Sequence, residues 1–350
     1  MTLPRRILPG TSYVVARRCT ERRFHFTPTA ALVRDFKYVL ACAADTFDIE
    51  LHAVVFMSNH YHLWLTDTSG LLPKFMHTLN RNLARVVKSH YPDIEGEVFD
   101  RQPYNALMIL GQAAATAELA YLLANPVKAR LVERHDEWPG LITTGAMLAE
   151  VLARGGVEET VPRPVKTLRT LPPQATYRIT LYRPHSLYGA EHRNEAARFM
   201  GEILKGALDE VEAQESALAE ARRFSGCKVL GRARLARQSH LERPRSPELS
   251  QQCAQQLGTS QSKTLAPSRY DTFQRIKPAL VARCKDLMRT ASAVLNAWRT
   301  AYRKARSEMQ RGLKGVCLPA GTWWLKEQRL AQCETVPQGA DPVALCLSLG

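Results

Sequence analysis

At 350 residues, with 45% hydrophobic and 23% charged side chains, the chain has the make-up of one large or two ordinary globular domains and not of a disordered tail. Its 48 Lys and Arg against 33 Asp and Glu leave a formal charge of +15, which suits a polyanionic partner without choosing among nucleic acids. The 8 cysteines form no Cys-x-x-Cys pair, no apolar run approaches the ~18 residues of a membrane span, and Met1-Thr2-Leu3-Pro4-Arg5-Arg6 carries no secretory pattern, so the expectation is a cytoplasmic protein with reduced thiols and no membrane partner.

Residues 12–19 read as a first strand. Thr27-Pro28 reads as an N-cap followed by proline at the first helical position, and Leu32, Phe36, Val39 and Leu40 continue at helical spacing to about residue 45. Residues 51–57 and 60–66 are strands joined by a two-residue turn, Ser58-Asn59. A helix over 72–90 carries Phe75, Met76, Leu79, Leu83, Val86 and Val87 on one side and Lys74, Arg81, Asn82, Arg85 and Lys88 on the other. A fourth strand falls within 98–110, interrupted at Pro103, and an alanine-rich helix covers 113–124. The order β-α-β-β-α-β-α predicts an α+β, ferredoxin-like domain with an antiparallel sheet over residues 1–150.

Gly155-Gly156, Val161-Pro162-Arg163-Pro164 and Leu171-Pro172-Pro173 then predict a linker over 151–180. Residues 181–350 read as a basic, mainly helical region. It has a helix over 196–223, an Arg-rich stretch that includes Arg232, Arg234, Arg237, Arg243 and Arg245, and a long helix over 278–310. Leu280, Cys284, Leu287, Ala291, Leu295, Trp298 and Tyr302 form the apolar stripe of that last helix. Trp323-Trp324 offers either a stacking surface or an anchor, and no chemistry can be assigned to this half.

The chemistry concentrates in two places. His60 and His62 flank Tyr61 on a strand, so alternation aims both imidazoles to one face and Tyr61 to the other. Such a pair starts a divalent metal site, or else donates to backbone carbonyls in a half-buried sheet. The second place is Tyr121-Leu122-Leu123-Ala124-Asn125-Pro126-Val127-Lys128-Ala129-Arg130, where Tyr121 and Asn125 stand at i and i+4. On a continuous helix the phenol could act as a nucleophile, and the amide oxygen could complete a Mg²⁺ or Mn²⁺ site with the two imidazoles. The plainer alternative makes Asn125-Pro126 a helix start and Tyr121 an amphipathic core residue.

The string from His52 to His62 resembles the His-hydrophobic-His motif of single-tyrosine HUH transposases. Residues 121–132 resemble the tyrosine-helix motif of the REP-associated branch of that family. The likeness covers about residues 10–145, including Glu137-Trp138-Pro139-Gly140. It implies a DNA transposase in which His60, His62 and Asn125 hold one divalent cation. Tyr121 nicks and rejoins single-stranded DNA bearing hairpins or palindromic repeats, through a 5′-phosphotyrosine. Arg81, Arg85, Lys88, Lys128 and Arg130 become candidate DNA contacts, and a homodimer is open, with Tyr121 serving its own or a partner's metal site. Two features depart from the wider family: many relatives carry Gln at the position of Asn125, and Tyr61 brings a second hydroxyl to the motif. The competing readings are an inactive or domesticated protein that binds hairpin DNA, and a small-molecule hydrolase using a carboxylate. Asp67 is the nearest candidate for that carboxylate, and strand alternation puts it on the wrong face.

Overall fold

The computed structural model describes residues 5–129, 131–164, 168, 171–180, 196–225, 280–281, 285–313, 315–322 and 332–333. Arg130, the Arg-rich 232–245, Cys284 and Trp323-Trp324 lie outside the described residues.

Strand β1 (Thr11–Arg18), helix α1 (Ala30–Thr46), β2 (Ile49–Met57), β3 (His60–Asp67), α2 (Leu72–His90), β4 (Asn105–Ile109) and α3 (Gln112–Leu123) follow one another in the predicted order. The sheet runs β2-β3-β1-β4, and each of these neighbouring pairs is antiparallel. This is the ferredoxin-like arrangement that the element order implies.

Alternation splits the side chains of the sheet into two cores. Tyr13, Val15, Tyr61, Leu63, Leu65, Ala106 and Met108 face the layer that holds α1 and α2. Val14, Trp64, Leu107 and Ile109 face the layer that holds α3. In β2 the inward set changes parity, from Ile49 and Leu51 to Val54 and Phe56, because a bulge at His52 inserts one residue between Leu51 and Ala53. Burying either face of such a sheet removes several large apolar side chains from water, at about 1.5–3 kcal/mol each.

Helix α1 begins two residues later than predicted. Thr29 is the N-cap and accepts from the Leu32 N–H, while the Thr27 hydroxyl donates to the Phe24 carbonyl. Both threonines suit a cap, and Thr27 is already committed to the preceding turn. Helix α2 has no capping side chain at Leu71. Instead both oxygens of buried Asp67, at the end of β3, accept from the Leu71 and Leu72 N–H groups. Asp67 is thus a helix cap, which removes the carboxylate that the hydrolase reading required.

The segment predicted as a linker is folded. After α4 (Asn125–Lys128) and α5 (Gly145–Arg154), strands β5 (Gly156–Pro162) and β6 (Gln174–Thr180) pair as an antiparallel hairpin and pack against α1 and β2. Its prolines sit at the strand ends and in the connection, where they interrupt no central ladder. Helix α6 (Ala196–Ser225) lies on α3 and buries Met200, Ile203, Leu204, Ala207 and Val211 in the second core. Strand β7 (Leu280–Val281) pairs in parallel with β4, so Leu280 belongs to a strand and not to the predicted helical stripe. Helix α7 (Lys285–Gln310) buries Ala291, Leu295, Trp298 and Tyr302 of that stripe. The short strands β8 (Cys317–Leu318) and β9 (Gln332–Cys333) pair in parallel.

Each outer rim of the sheet is covered over part of its length. Along β2, the Phe56 N–H donates to the Leu141 carbonyl, Thr143 exchanges bonds with Val54, and Val55 bridges Ile142. The Trp138 indole donates to the Phe56 carbonyl at 2.9 Å. A Cβ on Gly140 would come within 2.8 Å of that carbonyl oxygen, so only glycine lets the loop run this close. Along β4, the covering strand is β7. No described helix is long and apolar enough to cross a membrane.

Candidate active site

The site grows out of the β2–β3 hairpin. Met57 pairs with His60 across the Ser58-Asn59 turn, so β3 opens on the first histidine. The His60 and His62 rings lie 5.0 Å apart, centroid to centroid, on the face toward α3. Tyr61 points the other way, is fully buried, and donates to Asn80 Oδ1 at 2.7 Å. Burial pushes its phenol pKa up, so the second hydroxyl of the motif is a core group and no rival nucleophile.

Each imidazole is prepared differently. His60 Nδ1 donates to Asn59 Oδ1 at 2.6 Å, which fixes the tautomer and makes Nε2 the basic nitrogen. His62 is 4% exposed, and burial, followed by the charge of Arg18, drives its pKa down to about 3. A histidine held neutral through the physiological range keeps a lone pair for a metal ion.

Tyr121 comes from the opposite layer. Its half-buried ring meets the His62 ring edge-on at 6.0 Å between centroids, and the Lys128 ammonium lies 4.7 Å from the centre of the phenol ring. The phenol and the imidazole pair therefore share one side of the sheet. Helix α3 ends at Leu123 because Pro126 has no N–H to give to the Leu122 carbonyl. Ala124 stays in the right-handed helical region, however, and Lys128 N–H donates to its carbonyl, so α4 continues the path after a one-residue break. Asn125 is therefore about one turn beyond Tyr121. It is 8% exposed, and its Nδ2 is buried with no hydrogen-bond partner. An amide exchanges its nitrogen and oxygen by a half-turn, so this uncommitted end can present an acceptor as readily as a donor.

Two imidazoles and an uncommitted buried amide are a donor set that fits a divalent ion of intermediate hardness. Among the described residues, no third His, Cys, Asp or Glu joins the pair as a possible ligand.

The remaining candidates divide. Lys128 is at the site, whereas Arg81, Arg85 and Lys88 are exposed on α2, the helix that covers the other face of the sheet. Sequence reasoning missed Asn59 and Arg18. Arg18 is the register partner of His60 on β1, as Ala16 is of His62, so it shares the imidazole face. Arg17 faces away, where it donates to the Asp100 and Gln102 carbonyls and lies over the Phe99 ring. The only signal in the sequence was the Arg17-Arg18 doublet, and its meaning appears once the β1–β3 register is known.

Residues 10–117 match the family described as "Transposase IS200 like". The matched stretch holds both histidines and stops four residues short of Tyr121. A solved structure described as a REP-associated tyrosine transposase bound to a REP hairpin is 15% identical. The similarity covers 44% of this chain and 87% of that one, with a TM-score of 0.35. No curated protein matches.

Proposed function

Residues 10–117 belong to the IS200-like transposase family, and from that premise we propose that the chain is a metal-dependent DNA strand transferase acting on single-stranded, hairpin-bearing DNA. The observation that carries the reading is the 6.0 Å approach of the Tyr121 ring to His62, on the face where His60 and His62 converge.

His60 and His62, with Asn125, hold Mg²⁺ or Mn²⁺. The ion, when bound, supplies Lewis-acid stabilisation of the charge that develops on the scissile phosphate. The Tyr121 hydroxyl loses its proton and attacks phosphorus in line. The bond to the 3′-oxygen breaks, leaving a 5′-phosphotyrosine and a free 3′-OH. Because that link conserves the phosphodiester bond energy, a second strand's 3′-OH can reverse the step and expel the tyrosine. Lys128, beside the phenol, favours the anionic oxygen and a nearby backbone phosphate. Arg81, Arg85 and Lys88 serve DNA held away from the reacting phosphate, across the sheet. Tyr121 meets a histidine of its own chain, which supports a site complete within one copy, so a homodimer is not required for the chemistry.

The test is a covalent-adduct assay. Single-stranded hairpin DNA labelled at its 3′ end is incubated with the full chain and Mg²⁺ or Mn²⁺, then run on a denaturing gel. A labelled protein band is expected from wild type and none from Tyr121→Phe, with His62→Ala lowering the yield at least about a hundredfold. DNA binding by wild type without any adduct would overturn the enzyme and leave a hairpin-binding protein on the same scaffold.

A further inference from the structure

Several surface arginines of this chain are answered locally: Arg23, Arg134, Arg154, Arg178 and Arg198 each sit beside an Asp or Glu. Two rows of cations are not. On α2, Arg81, Arg85 and Lys88 stand at i, i+4 and i+7 and are exposed. On α7, Arg299, Arg303 and Arg306 repeat that spacing, the first half-buried and the other two exposed. None of these cations forms an ion pair among the described residues. Helix α2 contains no Asp or Glu. Helix α7 contains Asp286, which pairs with Arg289, and Glu308, which helical spacing puts on the far flank beside Lys304.

The α7 row carries a cost in the free protein. Arg299 Nε is buried without a hydrogen-bond partner among the described residues, and burial, followed by the charge of Arg303, pulls its pKa down. A desolvated guanidinium N–H beside a like charge is unfavourable until an anion accepts from it. Both helices bury their apolar sides in the same core, α2 through Phe75, Leu79 and Leu83 and α7 through Ala291, Leu295 and Trp298. They therefore lie on one face of the sheet, and their polar sides look outward on the same side of the molecule. Their aromatic residues, Phe75, Trp298 and Tyr302, are all buried. The outward surface thus offers charge and no ring on which an unpaired base could stack.

We infer that α7 and α2 together bind the phosphate backbone of double-stranded DNA, the stem of a hairpin, on the side of the sheet opposite Tyr121. This rests on the transposase reading above, which selects DNA among polyanions. Helix α7 lies outside residues 10–117, which match the family. Its row runs about 10 Å along the helix axis, the rise of about three nucleotides on one strand. Contacts of this kind hold the duplex in place without reading bases, so the binding is indifferent to sequence and steeply dependent on salt.

The experiment titrates full-length Tyr121→Phe protein, in which no strand is cut, against a fluorescein-labelled DNA duplex of arbitrary sequence and against one of its strands alone. Anisotropy is followed over a series of KCl concentrations. The triple variant Arg299→Gln, Arg303→Gln, Arg306→Gln should bind the duplex at least about tenfold more weakly and flatten the slope of log K against log salt by about 2 to 3. Its loss on the single strand should be smaller. The corresponding triple Lys variant should keep most of the affinity and the slope, and Arg289→Gln, whose charge Asp286 already answers, should behave as the parent. If the triple Gln variant does not fold, as judged by its thermal melt, Arg303→Gln with Arg306→Gln, both at exposed positions, takes its place, with a slope flatter by about 2.

Unchanged duplex affinity and slope in the folded Gln variants overturn this inference and leave the transposase reading to the adduct assay. A greater loss on the single strand than on the duplex, or an RNA duplex of the same sequence that binds more tightly than the DNA, overturns the assignment of a DNA stem. A full chain that binds neither the duplex nor hairpin DNA overturns the inference and the proposed function together.

Discussion

Asn59 lies in a two-residue turn, yet its carboxamide decides which nitrogen of His60 is basic. A group that orients a ligand from behind typically changes metal affinity about 10- to 100-fold when removed. Asn59→Ala is therefore expected to weaken Mn²⁺ binding by that order and to move the thermal midpoint little, which calorimetry on the same samples would check. A large loss of stability with unchanged metal affinity would show that Asn59 serves only the turn. The histidines themselves were legible in the sequence, because strand alternation assigns a face to every second residue. Tyr61 was legible for the same reason, and its burial on the opposite core follows from the rule that exposes His60 and His62 to α3. The positioning partners were not legible. The direction of the Asn59 side chain depends on turn geometry, and Arg18 reaches the site through its pairing with β3, which spans 42 residues of chain.

At the scale of elements, the tyrosine helix is held from both sides. Its inner side packs on the sheet and its outer side on α6, where Gln112 donates to Glu202 and His135 Nδ1 donates to Glu215 at 2.9 Å. The Gly145 N–H donates to the other nitrogen of His135, so the ring ties α6 to the start of α5. The two helices pack tightly at Gly206, where an added Cβ would stand 3.1 Å from the Thr116 methyl. Gly206→Leu is expected to overpack this contact, costing about 1–3 kcal/mol in urea unfolding and lowering adduct yield as Tyr121 shifts. Unchanged stability would mean that α6 is not seated on α3 as described. Helix positions were readable from periodicity to within a few residues, but the backing of α3 by α6 was not. An alanine-rich helix presents apolar surface all round and does not announce which side meets a partner.

For the whole molecule, His52 is the stitch that joins the hairpin to the sheet. Its Nδ1 donates to the Thr180 carbonyl of β6, and the Thr66 hydroxyl of β3 donates to its Nε2. Burial drives its pKa down to about 4, below the unfolded value near 6.5. The unfolded chain thus binds a proton that the folded chain refuses between those limits. The stability contributed by neutral His52 is complete above about pH 6.5 and is lost as the pH falls toward 4, by about 3 kcal/mol. His52→Gln should flatten the fall in urea midpoint over that window by nearly one proton's worth, and a slope equal to wild type would sink the assignment. The hairpin itself escaped the sequence reading because glycine and proline punctuation looks the same in a linker and at strand ends. Only contacts with α1 and β2 distinguish the two.

The loop at 141–143 and the short strand β7 have one more consequence. With a backbone neighbour already bonded at Val54–Phe56 of β2 and at Met108–Ile109 of β4, those stretches of the two borders are taken and are not open for another molecule to extend the ladder. Strand addition at those stretches, whether into dimers or into fibres, would first have to displace the 141–143 loop or β7.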